Sequence, residues 1–396
     1  EADAAEEAQD KTEQLGEEMD KTSKKSEDFG DKSKNAVVGL DDILATVGIV
    51  AALNKIADAF SNASDKAAEF ETNVAMVSTV ADTTVLSADQ LATQISGLSK
   101  DTAKNVNELA DATYNAISAG VATEGAVETV GEASKLATAG FTSSASALSV
   151  LTTALNAYQL EASEVTNISD SLITSQNLGV MTIDQLSSSM GKAISTASAY
   201  SIDLYNLESG YISLTKAGVS VEESTTYISS MFNELGDSGS EVAGVIMEET
   251  GQSFGQLMKS GYSLADVLEI LYNSVDQDSE ALMNLWGSAE AGKAANAVIN
   301  QGLDTFNTNL DKLRNSAGTT ERAYSAMTNT TQYATERMQN SFDNLAIAIG
   351  DDINPTVAQF KNGIADITDK FTELVSKHPA ISALLTGAAI GLGVVT

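Results

Sequence analysis

A chain of 396 residues with 55 Asp and Glu against 22 Lys and Arg carries a formal charge of -33, a surplus that repels phosphate and excludes sequence-independent binding to nucleic acid. The absence of cysteine and the single histidine, His378, exclude disulfides, thiolate metal sites and histidine-rich metal sites, while leaving the redox compartment open. The length exceeds that of a typical single core, so two or more folded units are expected.

Residues 1 to 35 alternate acidic and basic groups with few apolar ones, the pattern of a solvated helix or a disordered tail. From Ala36 to about Ala63 the residues Ile43, Leu44, Val47, Val50, Ala51, Ile56 and Phe60 fall on a roughly helical spacing, which predicts one amphipathic helix. A membrane span is the sharper reading, but Asp41, Asp42 and Lys55 leave too short an uncharged run for the ~20 residues a span needs. The two prolines, Pro355 and Pro379, lie near the end of the chain, so long helices are free to form upstream.

The stretch from Asn105 to Met231 organises the rest. It predicts a helix, a short turn and another helix, with turns beginning at Gly120-Val121, Gly140-Phe141, Tyr158-Gln159-Leu160, Leu178-Gly179-Val180, Ser201-Ile202 and Gly218-Val219. Neighbouring turns stand roughly twenty residues apart, a spacing typical of helical arrays. Glycine at a corner tolerates the left-handed conformation that closes a helix, and a following Ser, Thr, Asp or Glu satisfies the next helix's free amides. Thr182 to Gln185 and Ser220 to Glu223 both read as capping boxes. Apolar seams step by three and four through Leu148, Leu151, Leu155 and Tyr158, through Ile183, Leu186, Met190 and Ala193, and through Leu204, Leu207, Tyr211 and Leu214. Their neighbours are mostly Ser, Thr, Ala and Asn, which allows packing on more than one side.

Between Gly236 and Gly261 six glycines loosen the pattern into a connecting region with short helices. Ser263 to Asp266 then caps a helix with the seam Leu264, Val267, Leu268 and Leu271. From about Ala294 longer helices are expected, with a stripe of Met338, Phe342, Leu345 and Ile349 before Gly350 and Pro355, and another helix from Phe360 to Val375. Ala380 to Thr396 contains no charge. The chain starts at Glu1 and stops inside that apolar run, so it is expected to be a piece of something longer, with no signal peptide visible at its start.

Motifs with catalytic overtones have plainer readings. Gly287 to Ala294 nearly spells a phosphate loop, but Ala294 stands where Ser or Thr would hold magnesium, Glu290 sits inside the loop, and Leu282 to Trp286 reads as helix rather than strand. Ser189 to Lys192 and Ser213 to Lys216 fit a Ser-x-x-Lys pattern without its companion motifs. His378 reads as a helix end before Pro379, and Trp286 as a core residue. Acidic residues are abundant, yet no pair stands in an aromatic, sugar-binding setting.

Phe70 to Ser78 resembles the opening signature of the phage tail tape measure proteins, in the minor tail protein branch. Asn107 to Ala112, Ser118-Ala119-Gly120, Leu155 to Tyr158 and Lys216 to Val219 then follow in that family's order. Leu285 to Gly292 resembles the family's aromatic-glycine-acidic-glycine corner, with Trp286 where Phe is frequent, and Leu345 to Gly350 followed by Pro355 is similar to its closing element. The resemblance spans about Glu69 to Val375. It implies a structural virion protein that sets tail tube length during assembly and leaves ahead of the DNA to assist genome delivery across the host envelope. The partners it implies are the tail tube protein, tail assembly chaperones, tail tip or baseplate proteins, further copies of the chain in the tail lumen, and the host membrane. It implies no cofactor, no metal and no catalytic residue.

The expected fold is all-α, with helical hairpins packed as a bundle or solenoid-like array and long helices at both ends. The expected divisions are 1–68, a charged then amphipathic arm; 69–300, the hairpin core; 301–378, long C-terminal helices; and 379–396, the start of an apolar segment. Gly120, Gly140, Gly179, Gly218, Gly287 and Gly292 are the expected structural turns. Ala383, Gly387 and Gly391 would form the small face on which a membrane-inserted helix packs, against the alternative of a buried hairpin helix. Two rival functions fit the residues alone: a non-enzymatic α-solenoid binding scaffold, and a cell-wall hydrolase in an unusual fold.

Overall fold

Every helix in this chain needs a start signal, and the capping oxygens supply most of them. The computed structural model describes residues 65–330, with 333, 334, 337, 340 and 347, and all regular elements among the described residues are helical. They are α1 (described from 65 to 80), α2 (Ala88–Thr102), α3 (Val106–Ser118), α4 (Thr123–Ala139), α5 (Ser144–Tyr158), a short 3-10 turn (Ala162–Glu164), α6 (Val165–Leu178), α7 (Ile183–Ala199) and α8 (Leu204–Lys216). Then follow α9 (Val221–Gly236), α10 (Glu241–Thr250), α11 (Phe254–Lys259), α12 (Leu264–Ser274), α13 (Ser279–Asn284), α14 (Ala289–Gln301), α15 (Leu303–Arg314) and α16 (Thr319–Thr328). Ser87 with Gln90, Thr182 with Gln185, Ser253 with Gln256 and Ser263 with Asp266 form reciprocal capping boxes. At Ser220 the hydroxyl accepts the Glu223 amide at 3.2 Å, but the Glu223 carboxylate turns to that same hydroxyl at 3.1 Å instead of closing the box.

The helices alternate between two layers. α3, α5, α7 and α9 pack side by side in one, and α2, α4, α6 and α8 in the other. The seams expected from the spacing are buried between them: Leu148, Leu151 and Leu155; Ile183, Leu186, Met190 and Ala193; Leu204, Leu207, Tyr211 and Leu214. Each such Leu, Ile or Met contributes ~1.5 to 3 kcal/mol, which orders helices of 13 to 17 residues that would be marginal alone.

The chain then doubles back. α14 packs on α9 and α8, α15 on α8 and α6, and α16 on α6 and α4. The α2-to-α8 layer is therefore covered on both sides along much of its length, and its helices bury serine and threonine as well as leucine. Thr129, Ser134, Ser213 and Thr215 tolerate this because each hydroxyl donates to the carbonyl four residues earlier, at 2.7 to 2.9 Å.

From Ala294 onward the described helices are shorter than expected. α15 has 12 residues and α16 has 10, and each begins after a glycine at positive φ, Gly302 at 96° and Gly318 at 76°. The arm 1–64, the 338–349 stripe apart from Asn340 and Ile347, His378 and the run 380–396 with Ala383, Gly387 and Gly391 lie outside the described residues. No helix among the described residues is long and apolar enough to cross a membrane.

Candidate functional site

The corners fall on two opposite edges of the array. Gly140, Gly179 and Gly218 stand 39 residues apart on one edge, where the Thr142 hydroxyl donates to the Asp184 carboxylate of the next corner and the Val180 amide donates to Thr215 Oγ1 at 3.2 Å. On the other edge the Asn156 side chain donates to the Ala119 carbonyl and the Ser198 hydroxyl to the Ala157 carbonyl. One helix pair is thus the repeating unit.

Between α2 and α9, six positions at the corners have positive φ, and glycine fills only two of them: Gly120 (φ 100°) and Gly218 (φ 88°). Ala103, Phe141, Gln159 and Ser201 fill the others. Gly140 was expected to take the left-handed conformation, but its φ is -96° and Phe141 takes it at 56°. Glycine is required at 140 by close approach: a Cβ there would lie 2.7 Å from Ile183 Cγ1 and 3.0 Å from the Leu136 carbonyl. Gly179 is extended, with Met181 Cε 2.7 Å from where its Cβ would be. Gly292 is no corner at all; it lies buried within α14, in contact distance of Met283 and Trp286. Phe141 and Val180 project from the first edge, 75% and 70% exposed.

Gly287 sits at the near phosphate loop, and the structure shows what occupies its amides. The Glu234 carboxylate accepts the Gly287 amide at 2.7 Å and the Ser288 hydroxyl at 2.6 Å, while Ser288 caps α14 through the Ala291 amide. An internal carboxylate fills the place of an anion there. Of the Ser-x-x-Lys pairs, Ser213 is buried and gives its hydroxyl to the Ser209 carbonyl while Lys216 is exposed at the helix end. Trp286 is buried, as expected of a core residue.

The sequence reading missed the acidic residues of the covered layer. Glu208 on α8 is 1% exposed; the Ser171 hydroxyl donates to its Oε1 at 3.0 Å, and among the described residues its Oε2 has no partner. Burial pushes this carboxyl up to about 8, against the lowering effect of that hydroxyl. Burial also raises Glu132 on α4, opposed by the Ser169 hydroxyl and Lys135. Asp170 on α6 accepts the backbone amides of Gly318 and Thr320, both at 2.7 Å. One signal was available: Asp170 is the only charged residue between Glu164 and Asp184, and an isolated carboxylate in an uncharged helix has a specific partner more often than solvent. Among the described residues no three His, Asp or Glu side chains converge as metal ligands would.

Residues 92–287, from α2 to the corner at Gly287, match the family model described as phage-related minor tail protein. The helical core is similar to that family over this stretch. A protein of Clostridium phage phiCD119 described as a probable tape measure protein is 29% identical over 298 residues, which cover 73% of this chain and 32% of that protein. The chain thus spans about a third of the length of this curated relative. No solved structure matches it. Of the charged groups in the inner layer, Asp170 caps α16.

Proposed function

We propose that this minor tail protein is a tape measure: a non-enzymatic virion component that sits in the tail lumen, sets tail tube length during assembly and is released ahead of the DNA to help the genome cross the host envelope. The relation to a probable tape measure protein over 73% of the chain carries this reading. Its partners on this reading are the tail tube protein, assembly chaperones, tip or baseplate proteins and further copies of itself, and the charge of -33 keeps it from gripping the DNA that follows. The apolar run 380–396 would begin the membrane-active part, with Ala383, Gly387 and Gly391 as its packing face.

Electron microscopy of tails assembled with one hairpin unit removed tests the ruler. Joining Gly140 to Val180 deletes a unit while keeping a glycine-apolar corner. If the ruler measures as extended helix, at 1.5 Å per residue the tail shortens by about 58 Å. Unchanged tails would point to a solenoid adaptor, and peptidoglycan clearing in a zymogram of the full chain would overturn the non-enzymatic reading.

A further inference from the structure

α16 is held differently from α7. α7 starts on its own capping box and buries Ile183, Leu186, Met190, Ala193, Ile194 and Ala197. α16 starts on Gly318, which has no side chain to cap with, and its buried residues are Thr320 and Tyr324. Its free amides are satisfied from across the fold: Asp170, about 150 positions earlier, accepts Gly318 N–H and Thr320 N–H, one on each carboxylate oxygen. Ser169 Oγ lies 3.0 Å from Thr320 Oγ1, and Lys135 pairs with Glu321 at 2.9 Å. The Tyr324 hydroxyl reaches the Asp101 carbonyl at 3.3 Å. A ten-residue helix is below the length that stands alone in water, and this one lacks a local cap as well.

We infer that α16 is a detachable strap, helical only while docked, which Asp170 latches across the inner layer and which opens as a unit while the hairpin array stays folded. The docking surface is more polar than the other seams, with Tyr324 as the one large side chain it buries, so undocking exposes less hydrocarbon than opening a seam such as that of α7. Every polar group involved regains water on opening, Asp170 and the two amides included. Beyond 328 the Tyr333 hydroxyl lies 2.6 Å from the Tyr324 hydroxyl and the Asn340 side chain donates to the Ala103 carbonyl, so these contacts open with the strap.

Hydrogen exchange read by mass spectrometry on the full chain tests the strap. In the unaltered protein the amides of 319–328 should exchange at least tenfold faster than those of 183–199, and equal protection overturns the proposal. Asp170→Ala should speed exchange in 319–328 by a further tenfold or more and leave 183–199 unchanged. A variant that speeds both regions alike, or that loses the array altogether, also overturns it, because the carboxylate would then hold the core rather than the strap. Ser169→Ala, which removes one hydrogen bond and leaves the carboxylate, should shift 319–328 in the same direction by less; no shift with an intact latch would assign the effect to Asp170 alone.

Discussion

At the scale of single residues, burial of Glu208 has a measurable consequence. Its carboxyl sits at about 8 when folded against an ordinary value near 4.5. The folded state therefore holds this proton over a pH range in which the unfolded chain has released it. The resulting stability is fully present below the unfolded value and is lost as pH rises toward 8, at up to about 1.4 kcal/mol per pH unit. Urea unfolding should show a higher midpoint at pH 5.5 than at pH 7.5, and Glu208→Gln should flatten the difference. An unaltered slope in that variant would assign the pH dependence elsewhere, Glu132 being the next buried carboxyl with a raised value. Such residues were hard to read in advance. A helical wheel places Glu208 beside Leu207 and Tyr211, but the helices packed around α8, α6 with Ser171 among them, remove it from water, and that packing is a tertiary event without local signature.

At the scale of elements, caps and seams were legible because they depend on residues three or four apart. The corner glycines were legible only as corners. Gly140 and Gly218 stand on the same spacing and each is followed by an apolar residue, yet one is required by contact with Ile183 and the other by its backbone angle. This difference separates two substitutions that look alike. Gly218→Val faces open space but a strained left-handed backbone, a cost of roughly 1 to 2 kcal/mol, and Gly218→Asn should recover most of it. Gly140→Val overpacks the core by about 1 to 3 kcal/mol, and Gly140→Asn should recover nothing. Thermal melts of the four variants check this; equal recovery at both sites would mean that both corners are limited by the same cause. Phe141, which bears the left-handed angle at its own corner, shows why counting glycines understates these turns.

At the scale of the whole described region, the expectation of an all-α hairpin array is met, and the doubling back of α14 to α16 is what the sequence could not announce. Nothing in the run from Ala289 to Thr328 says that it retraces helices from about 65 to about 190 positions earlier, because the contacts that place it are long-range. Small-angle scattering of a chain limited to 65–330 should give a radius of gyration of roughly 18 to 22 Å, near that of a compact body of this size, whereas one continuous helix of that length would extend ~400 Å. A rod-like profile would show that the corners are not used in solution.

The doubling back also fixes where the chain comes and goes. Near the start of the described region the Asp82 amide donates to Thr123, and near its end Tyr324 bonds the Asp101 carbonyl and the Asn340 side chain donates to the Ala103 carbonyl. The end of α2 and the end of α16 are neighbours, so the more than two hundred residues between them make a closed excursion and return to the place they left. Such an excursion adds mass and diameter but almost no distance between Ala103 and Tyr324. It becomes contour length only when opened.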